Sequence, residues 1–215
     1  IWVRLHTNSG IIGTGETYPI SPNSIDFKDL DWHNLAGKLL GTNPLEIEQT
    51  WERIYRSNAF NVSGGAEMRA LSAINIAQWD ILGQACNMPL YQLLGGSINK
   101  KIRIYNTYTN GSNRAINGWT LENDMEKIAK FLIGEGIKAI KFCPFDRVAA
   151  INNGEYISKN DIDTSLDWIK RVRDSVGYDL EIGCEFHSMW NLPSAIRIAY
   201  ALEPYEILFL EDVLL

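Results

Sequence analysis

From about residue 100 the chain alternates between segments with a two-residue apolar period and segments with a helical one, and nothing else in it restricts the fold as strongly. "KIRIYNTY" reads as a strand and "LENDMEKIAKFLIGEG" as a helix. "KAIKFCPF" is a strand, and "NDIDTSLDWIKRVRDSVG" a helix opened by Ser158, with Asp161 three residues later in capping-box spacing. "DLEIGCEFH" is a strand, "LPSAIRIAYALEP" a helix and "EILFLED" a strand. Four strands and three helices in strict βα order predict a parallel sheet, either doubly wound or a (β/α) barrel, of which four strands are half. In either architecture chemistry gathers at the carboxyl ends of the strands.

The first hundred residues behave differently. "IWVRLHT" and "IIGTGETY" read as two strands joined by "NSG". Helical patterns follow: "DLDWHNLAGKLLG" with Gly41 as C-cap, "PLEIEQTWERIYR" with Pro44 near its start, residues 66–86, and the short "PLYQLLGG". Strands followed by helices suggest a small α+β unit. "GIIGTGE" lacks the last glycine of a dinucleotide fingerprint and opens no helix, so it reads as a hairpin.

The 215 residues are 46% hydrophobic, enough for a sizeable core. A net charge of −6 gives no nucleic-acid footprint and no basic membrane patch. Cys86, Cys143 and Cys184 are odd in number and lack C-x-x-C spacing, which argues against a disulfide framework or a structural zinc site. No apolar run has the length of a membrane span and no leader is visible, so a soluble, cytoplasmic protein is expected. Both ends read as cut: "IWVRLHT" is a strand in progress and "EILFLEDVLL" stops on an apolar run. A fragment with an unpaired edge on its fourth strand would tend to self-associate.

In the third strand of the alternating part, Leu180, Ile182, Cys184 and Phe186 share an apolar face suited to helices. Glu185 and His187 share the other, at the carboxyl end. Lys141 takes the inner side of the second strand, with Lys138 snorkelling at its start. The fourth strand ends at Glu211-Asp212. Each alone has a bland reading: a solvated carboxylate, a hydrogen-bonded structural histidine. Their coincidence at three successive strand ends points to an active site. Two oxygen ligands suit a hard cation such as Mg2+, with a Lys and a His beside it to transfer protons or bind a carboxylate. His6 and His33 read as surface residues, Cys143 as a small polar or buried thiol, and the seven tryptophans mostly as core. Trp190 is the exception, in a loop at the mouth.

The segments "GIIGTGETYP", "ALSAINIAQWDILGQACNMPLYQLLGG", "GIKAIKF", "LEIGCEFHSMWN" and "LFLED" together resemble the enolase superfamily, in its mandelate racemase and muconate lactonizing branch. The resemblance implies an α+β capping domain over residues 1–98 and, over 99–215, the first half of a modified (β/α) barrel. It implies one Mg2+ held by acids at the third, fourth and fifth strand ends; the first two fall on Glu185 and Glu211, and the third lies beyond Leu215. Members remove the proton α to a carboxylate, and the metal stabilises the enediolate. Where the racemases have Lys-x-Lys, this chain has Lys141-Phe142-Cys143, which weakens a lysine-base reading. Glu185-Phe186-His187 is similar to the motif of the acid-sugar dehydratases, whose His acts on the leaving hydroxyl or as a proton-transfer group. Lys141 would then steady the substrate carboxylate. The loop from Tyr18 to Ser24 and the segment "NAFNVSGGAEMR" resemble loops that close over substrate, and Tyr18 and Trp190 are expected to contact it. The expected function is a Mg2+-dependent acid-sugar dehydratase. The alternatives are a racemase or epimerase of the same superfamily, or a catalytically incomplete fragment or degenerate homologue. The expected partners are an acid-sugar substrate and further copies of the chain, with no nucleic acid and no membrane.

Overall fold

The structure, a computed structural model, describes residues 1–18, 32–57, 65–108 and 116–214. Those residues form two compact units, Ile1–Lys100 and Lys101–Leu215. No helix among them is long and apolar enough to cross a membrane.

In the first unit β1 (Trp2–His6) and β2 (Ile12–Glu16) pair antiparallel, and α3 (Gly65–Cys86) packs against them. The glycines of "IIGTGE" make that contact possible. A Cβ on Gly13 would sit 2.1 Å from the Ala77 carbonyl oxygen, and one on Gly15 would sit 1.8 Å from that of Ala73. Only glycine lets strand and helix backbones approach so closely. The short α1 (Trp32–Leu39), α2 (Ile47–Ser57) and α4 (Leu90–Leu93) complete the unit, around a core of Leu35, Ile54, Ala70, Leu71 and Ile74. Pro44 lies three residues before α2 rather than in its first turn. Its carbonyl accepts from the buried amide of Gln78, which leaves that polar group satisfied. Gly41 follows α1 at φ +74°, as a C-cap glycine should.

The second unit carries a four-stranded, all-parallel sheet in the order β3 (Asn106–Thr107), β4 (Ala139–Phe142), β5 (Glu181–Glu185) and β6 (Phe209–Glu211). The helices are α5 (Leu121–Gly134), α6 (Asp146–Asn152), α7 (Lys159–Ser165), α8 (Asp167–Val176) and α9 (Leu192–Leu202). This is the βα succession of a partial (β/α) barrel. Ile140, Phe142, Ile182, Cys184 and Phe186 are fully buried in one cluster with Ile128 and Leu132 of α5, Ile169 and Val172 of α8, and Ile198 of α9. Each large side chain buried there contributes about 1.5–3 kcal/mol. The apolar face read from alternation is therefore the helix-covered one.

Three details differ from expectation. The first strand is regular only at Asn106–Thr107, and Ile102 and Ile104 are largely exposed. The long helix is broken at Leu166 into α7 and α8, although Leu166 still donates its N–H to Ile162. Its capping box of Ser158 and Asp161 is present as read. Finally, α6 was not foreseen, and it brings a functional side chain with it.

Candidate active site

Parallel register lines up the carboxyl ends of three strands. Lys141 pairs with Gly183, Gly183 with Phe209, and Glu185 with Glu211. Gly183 leaves room for Phe209, since a Cβ there would sit 2.5 Å from the Phe209 ring. Phe209 in turn packs against Tyr105, with ring centroids 5.4 Å apart, and the Lys141 ammonium lies 5.7 Å from the Tyr105 ring.

Above this aromatic floor Lys141 Nζ donates to Glu185 Oε2 at 2.9 Å and to Glu211 Oε2 at 2.8 Å. Lys141 is only 8% exposed and Glu185 4%. Burial pushes the Glu185 carboxyl up, but the Lys141 ammonium and the His187 backbone N–H outweigh it and hold it below its ordinary value. Burial also works against the Lys141 ammonium, and the two carboxylates overcome it, so Lys141 stays charged well above its ordinary range. One ammonium thus bridges two carboxylates at the strand ends.

His187 departs from simple alternation. β5 ends at Glu185, and His187 and Ser188 both take left-handed backbone conformations, at φ +48° and +53°. The turn directs the His187 N–H to Glu185 Oε1 at 3.1 Å and places the ring Nδ1 2.8 Å from Asp146 Oδ2. A carboxylate only accepts, so Nδ1 carries the shared proton and Nε2 is the nitrogen left for substrate. The imidazole is half exposed. Asp146 is the first residue of α6, where a carboxylate also meets the positive end of the helix. Burial raises its carboxyl against the lowering effect of the His187 hydrogen bond. Cys143 stands beside it, its thiol pushed up to about 12 by burial and by the charges of Asp146 and Glu185.

The second unit thus brings together Lys141, Glu185 and Glu211, with His187 tied to Glu185 through its backbone. Tyr18 belongs to the first unit, where it is exposed and its carbonyl accepts from Arg69. The rest of the Tyr18–Ser24 loop, and residues 58–64 of the second expected loop, lie outside the described residues. Trp190 is a correction. It is 0% exposed, packed in the core cluster and bridged to Leu214, so it lines no mouth. It is the only fully buried tryptophan among those whose side chains are described; Trp2 is exposed and the others are half-buried.

Sequence reasoning missed Asp146 as a partner for His187. The available signal was an acid in the turn just past the carboxyl end of β4, where such residues count most. It also passed over Asp212, whose carboxylate joins those of Glu185 and Glu211 with oxygens within 4.8 Å of one another. That all-oxygen set fits Mg2+, which takes a few carboxylates and keeps places for water and substrate.

Comparison with known proteins places the chain among relatives of one family. A family model described as "Mandelate racemase / muconate lactonizing enzyme, N-terminal domain" matches residues 1–95, and one described as "Enolase C-terminal domain-like" matches residues 124–215. The chain is 30% identical over 217 residues to the D-galactonate dehydratase of Klebsiella pneumoniae and 29% identical over 219 residues to that of Cronobacter sakazakii. All of this chain and 52% of each relative are covered, so the chain spans about half the length of the curated relatives it matches. Among solved structures, an enolase of the mandelate racemase subgroup from Agrobacterium tumefaciens superposes with a TM-score of 0.82 at 35% identity, over 99% of this chain and 53% of that one.

Proposed function

Because the chain belongs to the mandelate racemase/muconate lactonizing enzyme family, we propose that the protein is a Mg2+-dependent acid-sugar dehydratase acting on an aldonate. The observation that carries this reading is the pair His187–Asp146 set directly after Glu185. It provides a positioned proton donor beside a metal-ligating carboxylate. Similarity to two D-galactonate dehydratases supports it.

Glu185, Glu211 and Asp212 would hold the ion, which when bound supplies positive charge beside the substrate oxygen where negative charge develops. A base other than His187 takes the α-proton, His187 gives its own proton to the departing β-hydroxyl, which leaves as water, and the enol left behind tautomerises to a 2-keto-3-deoxy acid. Asp146 fixes the ring. Lys141, held between two carboxylates and firmly charged, is a poor base and a good anchor for a substrate carboxylate. That favours dehydration over a lysine-based racemisation.

The test is to incubate the full-length protein and Mg2+ with a panel of aldonates and to follow 2-keto acid formation with semicarbazide. Keto acid from at least one aldonate, lost on chelation, is expected. Exchange of the α-proton with solvent deuterium, without keto acid from any of them, would favour the racemase or epimerase instead.

A further inference from the structure

We infer that Cys143, Asp146 and His187 form a second cation site, distinct from the all-oxygen set of Glu185, Glu211 and Asp212 and selective for a borderline or soft divalent ion such as Zn2+. One ligand atom from each of the three lies within 4.8 Å of the others. They come from three different places in the chain: the residue after β4, the first residue of α6, and the turn that follows β5. A second observation is independent of the distances. Asp146 Oδ1 is buried with no well-formed hydrogen bond among the described residues, the Cys143 thiol of the same cluster being a weak partner of this carboxylate, although buried carboxylate oxygens are normally satisfied.

Chemistry separates this set from its neighbour. Thiolate and imidazole prefer zinc, cobalt and related ions, whereas carboxylates alone suit magnesium. Metal bonds of about 2.0–2.3 Å set tetrahedral ligand separations of about 3.3–3.8 Å, so the cluster closes on an ion with movements of about 1 Å. Three protein ligands leave the fourth position to water, and the half-exposed His187 side chain gives a route in. The Sγ–metal bond forms as the Cys143 thiol proton leaves to solvent, and the ion takes the place of the proton shared by His187 and Asp146, which passes through solvent to His187 Nε2. Occupancy would also withdraw His187 from proton transfer and so inhibit turnover. That consequence rests on the dehydratase reading and is read from activity, whereas binding is read from a spectrum and stands without it.

The experiment titrates Co2+ into the full-length Cys86→Ser protein, which lacks the exposed thiol, with Mg2+ in excess. A near-ultraviolet thiolate-to-cobalt absorption saturating at one equivalent is expected. It should vanish in Cys143→Ser, persist in Glu211→Gln, and require at least about tenfold more cobalt in Asp146→Asn. No absorption in the Cys86→Ser protein, or absorption that survives Cys143→Ser, would overturn the inference. If Cys143→Ser fails to fold, prolonged maleimide treatment of the unmutated protein, long enough for the half-buried Cys143 to react slowly, decides the matter: Zn2+ should slow its labelling further, as mapped on peptides. An equal rate of Cys143 labelling with and without zinc counts against the site.

Discussion

Lys141 donates to Glu185 across 2.9 Å, with both side chains nearly sealed from solvent. A buried ion pair of this kind adds little over an apolar pair of the same shape, yet removing one partner strands the other charge. Lys141→Met leaves Glu185 facing Glu211 with no cation between them. The variant should lose about 3 kcal/mol of stability by urea unfolding, and millimolar Mg2+ should restore part of it. An unchanged midpoint would mean that the ammonium does not hold the two carboxylates.

Gly183 and Phe209 make a second tightly fitted pair on the same inner face. Gly183→Ala drives a methyl into the Phe209 ring, and overpacking of this kind costs about 1–3 kcal/mol. Adding Phe209→Leu should recover most of the loss. Two losses that simply add would show that the ring is not the obstacle.

Legibility from sequence followed the regularity of the backbone. Period-two alternation places Glu185 correctly on the face opposite Ile182 and Cys184, because β5 is a true strand as far as residue 185. The same reasoning lost its footing two residues later, where the left-handed His187 and Ser188 turn the chain. His187 therefore meets Asp146, a contact no periodicity announces. Trp190 misled for the same reason. A loop residue was expected to be wet, but the turn folds its ring into the core. Asp146 itself sits on a seven-residue helix too short to show a helical pattern.

Separate roles for His187 and the α-proton base predict separable defects. On the proposed reading, His187→Asn should lower dehydration about 10²–10⁴-fold while α-proton exchange with deuterated solvent, followed by NMR, continues. Loss of both in equal measure would make His187 the base rather than the acid.

The three thiols should differ sharply in reactivity. Cys86 is exposed, Cys184 is buried with its thiol pushed up to about 12, and Cys143 is half-buried and raised to a similar value. Thiolates, not thiols, react with alkylating agents. Brief iodoacetamide treatment at neutral pH should therefore label Cys86 alone in the native protein and all three in urea, counted by intact mass. A second fast label in the native state would contradict the burial of Cys143.

Arg171 grips Glu126 with two hydrogen bonds, Nε to Oε1 at 2.6 Å and a terminal nitrogen to Oε2 at 2.7 Å, joining α8 to α5. The guanidinium pulls the Glu126 carboxyl down from 4.5 to about 2. A lowered folded-state value means that the pair stabilises fully above about pH 4.5 and that this contribution fades as pH falls through about 2. Glu126 is 40% exposed, so solvent screening limits the effect to about 1 kcal/mol. Urea unfolding of the wild type and Glu126→Gln should show that gap at pH 7, with more than half of it gone by about pH 3. A gap that stays constant over that range would show that the stabilisation comes from packing of the Arg171 stem rather than from the charge on Glu126.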